Sequence, residues 1–170
     1  QEVALVGQPC WLNQVHGNNV IVAAAFATAP AADGSVSSDP DHACVVRTAD
    51  CLPVLFSARD GSVVAAAHAG WRGLSAGVIE NTIRKMGVQP DKILAWLGPA
   101  ISQPAFEVGD EVKDIFVGQD RAAANCFVEN SRGRWQCDLY ELARQRLAAT
   151  GVTAVYGGGL CTFQDEDRFH

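Results

Sequence analysis

Short apolar runs rich in Val and Ile recur along the chain: NVIVAA, ACVVRTA, LPVLFSA, SVVAAAHA, KILAWLG and TAVYGG. Their length and β-branched content predict strands. Several are apolar at consecutive positions rather than alternating, which predicts sheets covered on both faces. The segment AFATAPAADGSVSSDPD is dense in Ala, Ser, Asp and Pro and reads as a surface loop.

Three stretches carry helical spacing. Leu74, Val78, Ile79, Ile83 and Met86 recur on one face, with Gly87 as a stop. Val112, Ile115 and Phe116 predict a shorter helix after Gly109. In the third, Asp138 is an N-cap with Glu141 three residues on; Leu139, Leu142, Ala143 and Leu147 share a face, and Gly151 ends it. Strands interspersed with helices predict a mixed α/β architecture.

The 170 residues are 48% hydrophobic, enough to bury a core, and residues 1–170 read as one domain. A formal net charge of −6 and the lack of any Lys/Arg run argue against a nucleic-acid backbone or an anionic membrane as partner. A small-molecule ligand fits better. No apolar run reaches the roughly 18 residues of a membrane span, and the start has no signal-peptide shape, so a cytoplasmic location is expected. Six cysteines without a C-x-x-C pair predict mostly buried thiols rather than a disulfide framework.

The apolar pair LPVLFSA and SVVAAAHA flanks Asp60-Gly61, a hairpin turn signal. A two-residue turn sets Arg59 opposite Ser62 and, counting back, Pro53 opposite His68. Cys51, two residues before Pro53, then becomes a diagonal neighbour of His68 at about 7–8 Å. A metal ion bonded at about 2.3 Å to sulfur and 2.0–2.1 Å to nitrogen bridges such a gap once both side chains lean inward. His16, beside the Gly17-Asn18-Asn19 turn, is the candidate third ligand. His42, in a polar loop, and His170, the last residue, are weaker ones. Spacing alone leaves a second reading open, in which both histidines and the thiol only pack.

A His/Cys/His set with one open position is catalytic in type, since structural zinc sites close with four protein ligands. The following Gly70-Trp71-Arg72-Gly73 reads as a turn into a helix starting at Gly73, where free N–H groups and the Arg72 guanidinium favour phosphate. Asp50 and Glu107 are candidate proton carriers. An ordinary strand-to-helix connection and a strand-end acid are the corresponding bland readings.

Taken together, WLNQVHG, TADCLPV, HAGWRG, LGPAIS…FEVGDEV, DLYELARQRL and GGLCTF…DRF resemble the YfiH-type proteins, also called laccase-domain or multicopper polyphenol oxidase proteins. The resemblance covers nearly the whole chain. It implies an α-β-β-α sandwich with mixed sheets and a Zn²⁺ site on His16, Cys51 and His68. It further implies phosphorolysis of purine nucleosides and methylthioadenosine with phosphate as co-substrate, and adenosine deamination. Copper-dependent phenol oxidation and peptidoglycan-precursor editing are also attached to the family. Its members usually carry a further N-terminal portion and a Ser-Tyr-Arg-Arg tail, which the 170 residues lack. A metal-free cysteine hydrolase, with Cys51 as nucleophile and His68 as base, and a metal-stabilised binding module are the remaining alternatives. The sequence gives no oligomeric state.

Overall fold

The computed structural model describes residues 7–169. Strands β1 (Gln8–Cys10), β2 (Val20–Val22), β3 (Gly34–Ser37) and β4 (His42–Cys44) precede the hairpin formed by β5 (Leu52–Ala58) and β6 (Val64–Ala69). Helices α1 (Trp71–Ser75) and α2 (Val78–Met86) lead to β7 (Ile93–Leu97) and β8 (Glu107–Val108). Then follow α3 (Asp110–Gln119), β9 (Phe127–Glu129), β10 (Trp135–Cys137), α4 (Leu139–Thr150), β11 (Ala154–Gly157) and α5 (Glu166–Phe169). The architecture is mixed α/β, as the run pattern predicts. Its main sheet has the order β11-β7-β5-β6-β3-β2, with parallel β11/β7 and β2/β3 pairs and antiparallel pairs between.

The two faces of that sheet have different fates. Leu52, Val54 and Phe56 of β5, Ala65, Ala67 and Ala69 of β6, and Ile93, Ala95 and Leu97 of β7 point to one face and are buried. α2 lies on this face against β6, β3 and β2, contributing Val78, Ile79, Ile83 and Met86, and α4 packs beside α2. On the other face, one row of paired residues runs Tyr156, Trp96, Leu55, Ala66, Ser35, Ile21 across all six strands. The parallel pair β1/β4 packs over β3, and β4 also reaches β6, so Ser35 and Ala66 are buried. At the other end of the row Leu55, Trp96 and Tyr156 remain 42%, 43% and 57% exposed, so within the described residues this layer covers only part of the face.

Several sequence expectations are met by local chemistry. β5 occupies Leu52–Ala58, the whole LPVLFSA run. Asp138 caps α4, its Oδ1 accepting from the Glu141 N–H at 2.9 Å, and such a cap stabilises by about 1 kcal/mol. Gly151, at φ +92°, ends the helix. Leu139, Leu142, Ala143 and Leu147 are all buried, each leucine contributing roughly 1.5–3 kcal/mol.

Four expectations are corrected. The run from Leu74 to Met86 is two helices, because Gly77 at φ +90° breaks the path after α1. The hairpin connection is wider than two residues: the Gly61 N–H bonds the Ala58 carbonyl, Gly61 takes φ +75°, and the Arg59 N–H turns away to Lys92. Register survives because the Ala58 N–H still pairs with the Val63 carbonyl. ACVVRTA is strand only at its start, its Ala43-Cys44 portion belonging to β4. Finally, the supposed loop contains β3, a fully buried strand inside the main sheet. Its residues, Gly-Ser-Val-Ser, are small because the layer above and α2 below come close; a Cβ on Gly34 would sit 3.3 Å from Thr82 Oγ1.

A second small sheet, β8-β10-β9, has no counterpart among the predicted strands. The Tyr140 hydroxyl accepts from the Ala100 N–H and lies 2.9 Å from the Leu160 carbonyl, tying the chain after β7 to the chain after β11. Gly157, the last residue of β11, and Gly158 and Gly159 after it adopt φ +75°, +81° and +79°.

Candidate metal centre

Pro53 stands opposite His68 in the β5/β6 ladder, the register expected from the sequence. Cys51 immediately precedes β5, and His68 is the next-to-last residue of β6. His16 comes from the turn before β2. The three side chains are drawn together, their ligand atoms all within 4.8 Å of one another. Tetrahedral coordination at ordinary bond lengths needs donor separations of about 3.3–3.7 Å, so only small inward movements close the set. His68 is buried, Cys51 half-buried and His16 exposed, which leaves the constellation open on the His16 side.

The turn carrying His16 is held from several sides. His16 adopts φ +59°, the only non-glycine residue with positive φ among those described. Asp33, fully buried, receives Val15 N–H and Gly17 N–H on Oδ2 and His16 N–H on Oδ1. Its Oδ1 also lies 2.8 Å from His68 Nδ1. The Asn18 side chain donates to the Ala76 carbonyl at 2.6 Å, and Asn81 of α2 donates back to the Asn18 carbonyl at 2.8 Å. The turn is thereby clamped to the α1/α2 junction.

Gly70 explains why the residue after the β6 strand has no side chain. A Cβ there would lie 2.6 Å from Cys51 Sγ and 3.6 Å from His68 Nε2. It would enter the space that the thiol occupies. With Nδ1 facing Asp33, Nε2 is the His68 nitrogen on the side that Gly70 and Cys51 border. A soft sulfur and two imidazoles brought together form a donor set suited to zinc, with copper as the competing ion.

The remaining candidates distribute unevenly. Burial pushes the Cys51 thiol up, the Asp50 carboxylate adds to this, and the Arg72 guanidinium opposes it. Both charged groups therefore lie within electrostatic reach of the sulfur. Arg72 stacks on Trp71 at 4.3 Å, and Asp50 Oδ1 accepts from Thr162 Oγ1 at 2.8 Å. Gly73, expected at the helix start, lies inside the five-residue α1, and a Cβ on it would meet the Gly17 carbonyl oxygen at 2.8 Å. It serves close packing against the His16 turn. Glu107 is engaged elsewhere: Arg132, Arg134 and Asn130 surround its carboxylate beside β10. His42 pairs with Asp39 at 3.0 Å, and His170 lies outside the described residues. All six cysteines are free thiols.

Sequence reasoning missed Asp33 and Thr162, and read Gly70 only as part of a turn. The available signal for Asp33 was an acid set among small apolar residues in AADGSV. A shallow groove of about 350 Å³ is lined by Asn13, Gln14, Arg47, Thr48 and Ala49, on the segments leading to His16 and to Cys51. Gln14 and the Arg47 backbone join these segments through two hydrogen bonds.

Residues 1–170 match the family described as multi-copper polyphenol oxidoreductase laccase. The chain belongs to this family. It is 54% identical over 164 residues to a purine nucleoside phosphorylase of Pseudomonas aeruginosa, covering 96% of this chain and 67% of that protein. Purine nucleoside phosphorylase YfiH of Escherichia coli K12 is 49% identical over 166 residues, with 97% and 68% covered. Among solved structures, a Neisseria meningitidis protein superposes with a TM-score of 0.92 at 50% identity, over 95% of this chain and 67% of the other. YlmD of Geobacillus stearothermophilus gives 0.82 at 28% identity, over 95% and 66%. This family member thus spans about two thirds of the length of such relatives. No helix among the described residues is long and apolar enough to cross a membrane.

Proposed function

We propose that the protein is a zinc-dependent purine nucleoside enzyme, carrying out phosphorolysis of purine nucleosides and methylthioadenosine and deamination of adenosine. The observation that carries this reading is the convergence of His16, Cys51 and His68 in a chain whose relatives are named purine nucleoside phosphorylases. His16, Cys51 and His68 would hold the ion, which would supply Lewis acidity. The chain's own residues do the rest. Arg72, anchored on Trp71, offers guanidinium donors to phosphate. Asp50, oriented by Thr162, holds a proton for the departing purine or amine. Glu107, the other candidate proton carrier, has its carboxylate engaged by Arg132 and Arg134 of the segment before β10, so this reading places the role on Asp50.

Zinc is favoured over copper because His16/Cys51/His68 is the only group of three or more possible ligands found among the described residues, whereas oxygen reduction to water uses several coppers. The decisive assay uses the zinc-loaded protein without oxygen. Adenosine should become inosine, and inosine should give hypoxanthine and ribose 1-phosphate only when phosphate is present. Oxygen-consuming phenol oxidation that scales with bound copper, in place of these reactions, would reverse the assignment.

Arg72→Ala should raise the KM for phosphate about tenfold, the loss of one charge-assisted contact of roughly 1.5 kcal/mol, while leaving deamination nearly unchanged. Initial rates against phosphate concentration read this directly. Equal losses in both reactions would make Arg72 structural.

A second reading draws on the Asp33–His68–Cys51 alignment, which is also the order of a hydrolase triad. The elevated thiol of Cys51 weighs against it, since such a nucleophile needs a lowered one. Hydrolysis of an ester or amide by the chelator-treated, metal-free protein would favour the triad.

A further inference from the structure

The fully buried Asp33 carboxylate is fully satisfied, and all of its partners come from the candidate metal centre. Four donors converge on two oxygens: His68 Nδ1 at 2.8 Å and His16 N at 2.9 Å on Oδ1, Gly17 N at 2.7 Å and Val15 N at 3.2 Å on Oδ2. Its backbone joins the same elements, the N–H bonding the Asn19 carbonyl at 2.9 Å and the carbonyl accepting from His68 N–H at 2.7 Å. A carboxylate offers acceptors only, so the imidazole nitrogen facing it bears the hydrogen and the other, Nε2, is left with its lone pair. That lone pair is directed to the space beside Cys51 Sγ, where Gly70 leaves room. The three backbone donors come from the turn that puts His16 at φ +59°, a conformation costly to a residue with a Cβ unless its surroundings hold it.

From this we infer that Asp33 is a positioning residue that sets the metal-binding constellation before any ion arrives. One oxygen fixes the tautomer of His68 and, together with the other, holds the backbone that presents His16. The inference rests on reading the triad as a metal site. It adds that two of the three ligands are oriented by a single buried side chain just before β3, which is not itself one of the three. Asparagine at this position keeps the shape but supplies one oxygen and one donor group for four donors. Its amide can satisfy His68 only by accepting with that oxygen and turning its NH₂ at the turn, or by donating to Nδ1 and moving the ring hydrogen to Nε2, where it blocks coordination.

The test combines ring-nitrogen NMR of the metal-free protein at pH 8 with Co²⁺ binding measured by chelator competition, in the native protein and in Asp33→Asn. The native His68 should show hydrogen on Nδ1. The variant should shift toward the Nε2–H form or lose the fixed tautomer, and bind Co²⁺ about 10–100-fold more weakly, the usual cost of losing a partner behind a ligand. A variant that melts earlier yet keeps the native tautomer and Co²⁺ affinity within threefold would reduce Asp33 to a structural role. If Asp33→Asn does not fold, the native spectrum decides: an Nε2–H tautomer overturns the inference. Native protein with Nδ1–H that binds no Co²⁺ or Zn²⁺ would instead refute the metal reading while leaving the tautomer assignment in place.

Discussion

Cys51→Ala should reduce bound zinc from about one ion per chain to nearly none, and nucleoside turnover with it, while the fold persists. The thiol stands just before β5, half-buried, whereas the core on the helix side is built by Leu52, Val54 and Phe56, which the substitution does not touch. Removing the only sulfur donor leaves two imidazoles, one of them on an exposed turn, too few to retain the ion against a chelator. Binding displaces the thiol hydrogen, and burial holds that hydrogen more firmly than in a free cysteine, so occupancy in the native protein should rise with pH through the neutral range. Elemental analysis and thermal melting of the two proteins, side by side, check both parts. Full zinc content in Cys51→Ala would remove the sulfur from the site.

Gly70→Ala should be nearly as damaging, although it deletes nothing. The backbone there, at φ −61° and ψ 160°, suits alanine, so any effect comes from the methyl group alone. That methyl would sit 2.6 Å from Cys51 Sγ, well inside contact distance, and the sulfur has to swing off its line to His68. Overpacking of this kind costs about 1–3 kcal/mol, which in a chain of this size lowers the melting temperature by roughly 2–10 °C. Metal affinity should fall about tenfold or more, by analogy with other losses of ligand support. Native-like Co²⁺ absorption and affinity in Gly70→Ala would mean that the thiol points elsewhere when an ion is bound.

The legibility of this molecule followed its hydrophobic contrast. LPVLFSA and SVVAAAHA were readable as a hairpin because two unbroken apolar runs meet at one Asp-Gly, and even a wider turn left Pro53 facing His68. β3 was illegible for the opposite reason. Gly34–Ser37 is buried through the closeness of its neighbours, and small residues that allow closeness look the same in sequence as those that allow exposure. The β8-β10-β9 sheet, two and three residues per strand, is too short for any period to register. Within the site, the three candidate ligands could be singled out by residue type. Asp33 could not, since its role depends on pairing β3 beside β6, a contact between segments more than 30 residues apart.

The three glycines from the last residue of β11 onward, Gly157 to Gly159, show how composition can suggest the opposite of mechanics. A Gly-Gly-Gly string suggests a hinge, a place where the chain is free to swing. Here all three adopt positive φ, the Gly158 N–H is bonded to the Leu97 carbonyl, the Gly157 carbonyl accepts from Arg144, and a side chain on Gly157 would collide with the Leu97 carbonyl. An L-residue would add roughly 1–2 kcal/mol of strain at each position. The string is therefore anchored at Gly157 and Gly158, and three residues beyond Gly159 the Thr162 hydroxyl reaches the Asp50 carboxylate. Variation at Gly157 is opposed by backbone stereochemistry and by the nearby Leu97 carbonyl rather than by any ligand, so a stretch with no functional group of its own still constrains how Thr162 meets Asp50.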